Sequence, residues 1–231
     1  MNPRSIRPML ATLGKPPARY TDFGVEAKYD GQRGLAIVDG GSVTLLSRNG
    51  ADITHTFPEI TAALPAAVGN RCVVLDCEIV ALDEAGVPSF SRLQRRWPQN
   101  RRPAADLLRS TPVRFYVFDV LSLDGRDITC QPYSTRRNRL TDIAAASSRR
   151  IVQFPANWTD TDPAVVLAAS AELGLEGIVC KHLESCYTPG LRSREWVKTP
   201  HRKRSEFVIG GWLPGVGPNS RTVGAVLVGC L

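Results

Sequence analysis

The hexapeptide Lys28-Tyr29-Asp30-Gly31-Gln32-Arg33 sets a primary amine beside an acid, a glycine and a guanidinium. A lysine amine attacks phosphorus only when neutral, so it needs surroundings that lower its pKa, such as neighbouring cations or a bound metal. The flanking residues can supply such surroundings, and the grouping points to nucleotide chemistry. The same six residues also fit a strand ending in an Asp-Gly turn with exposed basic neighbours, a common hairpin device. Taken alone, the hexapeptide fits both readings.

A reactive lysine needs a rigid element to hold it, and the surrounding pattern supplies strands. Segments 24–29, 33–38 and 43–48 alternate or run apolar between Asp-Gly and Asp-Gly-Gly punctuation, which predicts an antiparallel meander with Lys28 at a strand end. Further strands are expected at 72–82, 113–121, 176–181, 194–199, 205–212 and 222–229. Helices fit at 57–67, 89–96, 134–146 and 162–173, the last opened by Asp162-Pro163, a good cap with proline at the first helical position. The irregular alternation of strands and helices predicts an α+β fold with mostly antiparallel sheets rather than a doubly wound parallel sheet.

A chain of 231 residues with 43% hydrophobic content can bury a sizeable core, and its net charge of +7 favours an anionic partner. There is no long apolar span or amphipathic anchor, so nucleic acid ranks ahead of a membrane. Six cysteines are scattered without a signal peptide, which predicts reduced, buried thiols in a cytosolic protein. Cys180-Lys181-His182 with Cys186 lacks the second pair that a zinc site would need.

Five further segments follow the hexapeptide in order: Ser47-Arg48-Asn49-Gly50, Leu75-Asp76-Cys77-Glu78, Phe115-Tyr116-Val117-Phe118-Asp119, Glu176-Gly177-Ile178-Val179-Cys180-Lys181 and Trp196-Val197-Lys198. Together the six resemble the nucleotidyltransferase motifs of ATP-dependent DNA ligases, from about residue 6 to the end. The wording of 7–12 and 207–212 is most similar to bacterial ligases of the non-homologous end-joining type. The resemblance implies the DNA ligase and mRNA-capping nucleotidyltransferase fold, ATP as substrate, Mg²⁺ or Mn²⁺ as metal, and nicked double-stranded DNA as partner. It also implies a monomeric cytoplasmic, nucleoid-associated bacterial enzyme with a possible Ku-like partner and no membrane contact. Lys28 would attack the α-phosphate, expel pyrophosphate and carry AMP to the 5′-phosphate of a nick, which the neighbouring 3′-hydroxyl then seals.

Residue by residue, the resemblance places Glu26, Ala27, Lys28, Arg33, Arg48, Glu78, Phe118, Lys181 and Lys198 around the nucleotide. Glu26 would accept from the adenine amino group, where guanine offers an acceptor instead, and this favours ATP over GTP. Arg33 and Arg48 would grip ribose and phosphate. Glu78 would meet a ribose hydroxyl, and Phe118 would stack on adenine, although Phe115, Phe118 and Val120 also fit plain core packing. Glu176, with Glu78, would hold the metal, and Lys181 with Lys198 would neutralise the α-phosphate. Two positions depart from the pattern. Cys77 stands where glycine is usual between the acids, and Thr199-Pro200 follows Lys198 where Lys-x-Lys is common.

Two basic runs suit sequence-independent phosphate contact: Arg92, Arg95, Arg96, Arg101 and Arg102 around Trp97, and Arg192 to Arg204 with Arg202, Lys203 and Arg204 near its end. The expected organisation is a nucleotidyltransferase domain over 1–212, then a linker and the first strand of an oligonucleotide-binding (OB) domain over 213–231. A chain so organised is expected to perform the adenylation half-reaction at most. The alternatives are an RNA ligase or capping-type guanylyltransferase, or a catalytically silent DNA-binding module.

Overall fold

The computed structural model describes residues 3–96, 101–144, 151–201 and 207–229. Its strands are β1 (Leu10–Leu13), β2 (Phe23–Lys28), β3 (Gln32–Asp39), β4 (Ser42–Ser47), β5 (Val73–Ala81), β6 (Val113–Leu123), β7 (Arg126–Asp127), β8 (Val152–Gln153), β9 (Asn157–Trp158), β10 (Gly177–His182), β11 (Arg192–Pro200), β12 (Val208–Pro214) and β13 (Val223–Gly229). The helices are α1 (Pro58–Ala67), α2 (Phe90–Leu93), α3 (Ala105–Ser110), α4 (Tyr133–Ala144) and α5 (Pro163–Glu172). The α+β expectation holds, and the pairings are antiparallel except β1 with β11 and β6 with β8.

Two sheets build the unit of residues 1–200: β1-β11-β10-β2-β9, and β4-β3-β5-β6-β7 with β8 beside β6. The expected meander over 24–29, 33–38 and 43–48 is therefore only half right. β3 and β4 pair from Gly34 with Ser47 to Asp39 with Ser42, whereas β2 joins the other sheet. The link between β2 and β3 crosses from sheet to sheet instead of reversing on itself. Gly31 passes so close to β5 that an added Cβ would sit 2.3 Å from the Ile79 carbonyl oxygen, so glycine is required there.

Strand alternation divides the apolar residues into layers. On one face of the second sheet, Ala36, Leu75, Cys77, Phe115 and Val117 pack against Ile60 and Leu64 of α1 and Leu140 of α4. Met9, Leu35, Val74, Leu121, Tyr187 and Trp196 fill the space between the sheets. Val25, Ile178 and Cys180 turn to the outer face of the first sheet, against Val166 of α5. As expected, Asp162 caps α5: its side chain accepts from the Ala164 N–H at 2.8 Å, which is worth about 1 kcal/mol.

Some elements depart from the sequence reading. The helix expected at 89–96 is α2 followed by a 3₁₀ turn at Gln94–Arg96, while β1 and α3 carried too few residues to show a period. Among the described cysteines all are free, but Cys130 and Cys186 are exposed rather than buried. No helix among the described residues is long and apolar enough to cross a membrane.

Residues 201–231 form a second compact unit. Among its described residues β12 pairs with β13. Ile209, Trp212, Leu213 and Leu227 of this hairpin are exposed.

Candidate active site

A cavity of about 540 Å³ opens between the two sheets of the first unit. It is of a size suited to a nucleotide. All nine expected nucleotide residues, together with Glu176, line it: Glu26, Ala27, Lys28, Arg33, Arg48, Glu78, Phe118, Lys181 and Lys198.

Register explains why distant segments meet. Val179 of β10 lies opposite both Glu26 of β2 and Lys198 of β11, and Gly177 lies opposite Lys28 and Pro200. Alternation then turns Glu26, Lys28, Val179, Lys181, Trp196 and Lys198 to the cavity while Val25, Ile178 and Cys180 face α5. Gly177 makes this approach possible. Its φ is +143°, and a Cβ would lie 2.2 Å from the Thr199 carbonyl oxygen.

The second sheet contributes the opposite wall by the same rule. Cys77 turns inward, its thiol 3.1 Å from the Gly34 carbonyl, so the extra side chain at this position is absorbed by the core and Glu78 lines the cavity. In β6 the register slips between the Asp76–Asp119 and Cys77–Val117 pairs, which leaves Phe118 as an extra residue. Phe115 and Val120 are core, as the packing alternative held, whereas Phe118 lines the cavity.

At one end, Glu26 is 5% exposed and sits in a polar cluster that the sequence did not reveal. The Tyr133 hydroxyl donates to Glu26 Oε1, Lys181 Nζ is 2.6 Å from Oε2, and Arg137 is 3.6 Å from Oε1. Lys181 also sits 4.3 Å from the Trp196 ring centroid, 4.6 Å from that of Phe118 and 5.0 Å from that of Tyr133. Burial pulls the Lys181 ammonium below its usual range, while Glu26, Asp119 and Asp76 pull it back up. In the register Lys181 lies opposite Gly24 and Trp196, four residues up β2 from Lys28, and its ion pair is with Glu26.

At the other end, Lys28 pairs with Glu176. Lys198 lies nearby, its ammonium held below the usual range by partial burial and then by the cations Lys28 and Arg192, with Glu176 opposing. Burial pushes the Glu78 carboxyl up to about 8, with Arg33 and Lys28 opposing and Asp76 and Glu176 adding. A second cavity of about 420 Å³ shares this end and is lined by Thr12, Leu13, Lys28, Glu176, Arg192, Lys198 and Pro200.

Between the two ends Arg33 is committed to the fold. Its guanidinium donates to Asp76 at 2.8 and 2.6 Å and to the Met9 carbonyl at 3.0 Å, and Asp76 also accepts from the Tyr187 hydroxyl at 2.6 Å. Its carbon still lies 5.0 Å from the Phe118 centroid, so it shapes the wall as well. Arg48 is exposed at the rim.

The basic runs divide. Arg96 is 1% exposed and fork-bonded to Glu59 at 2.8 and 3.0 Å, with further bonds to the Thr56 and Thr111 carbonyls, which removes it from any phosphate surface. Arg92 donates to the Ser110 carbonyl at 3.1 Å, and Arg95 is exposed. Arg202, Lys203 and Arg204 lie outside the described residues.

Comparison with known proteins agrees with this geometry. A family model described as "ATP dependent DNA ligase domain" matches residues 8–199. The multifunctional non-homologous end joining protein LigD of Mycobacterium bovis is 39% identical over 226 residues, covering 97% of this chain and 28% of the relative. The LigD of Pseudomonas aeruginosa is 35% identical over 227 residues, covering 98% of this chain and 26% of the relative. The chain thus spans about a quarter of the length of these relatives. Among solved structures, mycobacterial DNA ligase D complexed with ATP and MES superimposes with a TM-score of 0.77 at 38% identity, over 98% of this chain and 68% of that one.

Proposed function

From a chain that belongs to the ATP-dependent DNA ligase domain family, we propose a nucleotidyltransferase in which Lys28 takes AMP from ATP and holds it for transfer to the 5′-phosphate of a nick in double-stranded DNA. The observation that carries this reading is the placement of Lys28 in one cavity with a carboxylate partner, cations and an aromatic wall. The Lys28 Nζ–phosphorus bond forms as the α–β phosphoanhydride bond breaks; pyrophosphate leaves with the electron pair, and the lysine proton is lost. Glu176, paired with the ammonium, is placed to receive that proton.

Lys198, on the same wall as Lys28, is placed to stabilise charge on the departing phosphates. Phe118 provides flat apolar surface for a base, and Glu26 has lone pairs left to accept from the adenine amino group after Tyr133 and Lys181 are satisfied. Tyr133 and Lys181 act by orienting Glu26.

Glu176 and Glu78 fit a divalent cation of the Mg²⁺ or Mn²⁺ class. No cluster of three or more metal-ligating side chains occurs among the described residues, so a cation here would be held by these one or two carboxylates, water and substrate phosphates. The Glu78 carboxyl, raised by burial and without an ion-pair partner among the described residues, is the kind of group a cation would stabilise in its charged form. Such an ion would supply charge to the phosphates.

Labelling with ATP or GTP radioactive at the α-phosphate, followed by denaturation, tests the reading. Label that stays on the protein from ATP, falls sharply from GTP and vanishes in Lys28→Ala supports it. Equal labelling from GTP would favour a capping-type enzyme, and label that persists in Lys28→Ala would remove the mechanism.

A further inference from the structure

The second cavity holds a cation that the reading above leaves without a role. Arg192 and Lys198 are six residues apart on β11, a separation of about 20 Å along a straight strand. Against β1, however, Arg192 pairs with Leu10 and Lys198 with Leu13, because the register jumps between Ala11–Ser193 and Thr12–Val197. The six residues are thereby folded onto three ladder positions, about 10 Å. The gathered residues turn Trp196 into the space between the sheets, and they leave Arg192 and Lys198 lining the same two cavities as Lys28 and Glu176. Bulges characteristically re-aim side chains next to active sites.

The Arg192 guanidinium donates to the Ala11 carbonyl, which fixes its direction while leaving most of its five donors free. Among the described residues no carboxylate forms an ion pair with Arg192 or Lys198. Pro200, at the far side of this cavity, brings no charge. A nucleotide with its base at the Glu26 end and its α-phosphate at Lys28 extends its outer phosphates toward this region.

We propose that Arg192 is a phosphate-contacting residue that, beside Lys198, grips the pyrophosphate portion of the nucleotide. The inference rests on the nucleotidyltransferase reading of the site. A planar fork of donors matches phosphate oxygens better than a point charge, so lysine at this position replaces arginine only in part.

The test uses the full chain carrying AMP on Lys28 and follows removal of AMP by inorganic pyrophosphate with intact-mass detection. Arg192→Gln is expected to raise the half-saturating pyrophosphate concentration at least tenfold, as loss of a charge-assisted hydrogen bond implies. Arg192→Lys should fall between this variant and the wild type, and it keeps a cation beside β1 in case glutamine loosens the strand. An unchanged half-saturating concentration in Arg192→Gln, with wild-type discharge normal, overturns this proposal alone. Weakened binding of nicked duplex with unchanged pyrophosphate response overturns it also, and assigns the arginine to DNA phosphate. A wild-type chain that never carries AMP overturns both this proposal and the reading beneath it.

Discussion

Replacing Lys181 by methionine removes one member of a buried ion pair and keeps an apolar side chain of similar length among the three rings. Lys181 is 2% exposed and its partner Glu26 is 5% exposed, with 2.6 Å between charged atoms. Breaking such a pair from one side costs about 3–5 kcal/mol, because the remaining charge is left buried. Here Tyr133 still donates to Glu26 and Arg137 stands 3.6 Å away, so the expected loss is about 2–4 kcal/mol. For a unit of this size that corresponds to a fall in melting temperature of roughly 5–15 °C. Glu26→Gln combined with Lys181→Met should recover at least about 1 kcal/mol relative to the sum of the single changes, since no unpaired carboxylate remains. Urea titration of the four proteins measures this cycle. The same variants carry a functional readout: Lys181→Met should erode the preference for ATP over GTP while leaving the response to pyrophosphate near wild type. A loss under 0.5 kcal/mol, strict additivity, or a defect confined to pyrophosphate would refute the reasoning and return Lys181 to the phosphate.

Other outcomes follow from neighbouring geometry. Arg136→Met should cost about 3–5 kcal/mol in chemical denaturation, because Arg136 and Asp119 are both fully buried and joined by two 2.9 Å bonds. Gly177→Ala should push β10 from β11 and abolish AMP transfer even where the chain folds, since its Cβ would meet the Thr199 carbonyl oxygen at 2.2 Å; circular dichroism separates loss of fold from loss of transfer. In chelator, wild type should lose about 1–2 kcal/mol relative to Glu78→Gln as pH rises from about 4.5 to 8. The folded carboxyl, at about 8, binds a proton there that the unfolded one has released, and the figure allows for water in the open cavity. A wild type that tracks Glu78→Gln across this range would mean that Glu78 is well solvated.

Much of the site was legible because six ordered motifs resemble those of ATP-dependent DNA ligases; alternation adds only that residues two apart, such as Glu26 and Lys28, share a face once a strand is recognised. Alternation does not say which sheet a strand joins, and so β2 was placed in a meander with β3. Gly31 held the missing clue, but a close backbone approach cannot be told from an ordinary turn without the partner strand. Arg96 read as surface because a basic run resembles a solvated face; its partner Glu59 lies 37 positions away. Greater separations in sequence hid the pairing of Lys181 with Glu26 and the supporting Tyr133, 107 positions from Glu26. Buried acids within apolar strands, Asp76 and Asp119, were the one local signal that arginines would be drawn inward. The place of Arg192 beside Lys198 was hidden by a register jump that no residue pattern announces.

The most direct test of the central claim is the intact mass of the purified chain incubated with ATP and Mg²⁺, then with pyrophosphate. The account expects an added AMP that resists denaturation, is removed by pyrophosphate and never forms on Lys28→Ala. A wild-type chain that stays unmodified, or an adduct that survives pyrophosphate or the loss of Lys28, would contradict it.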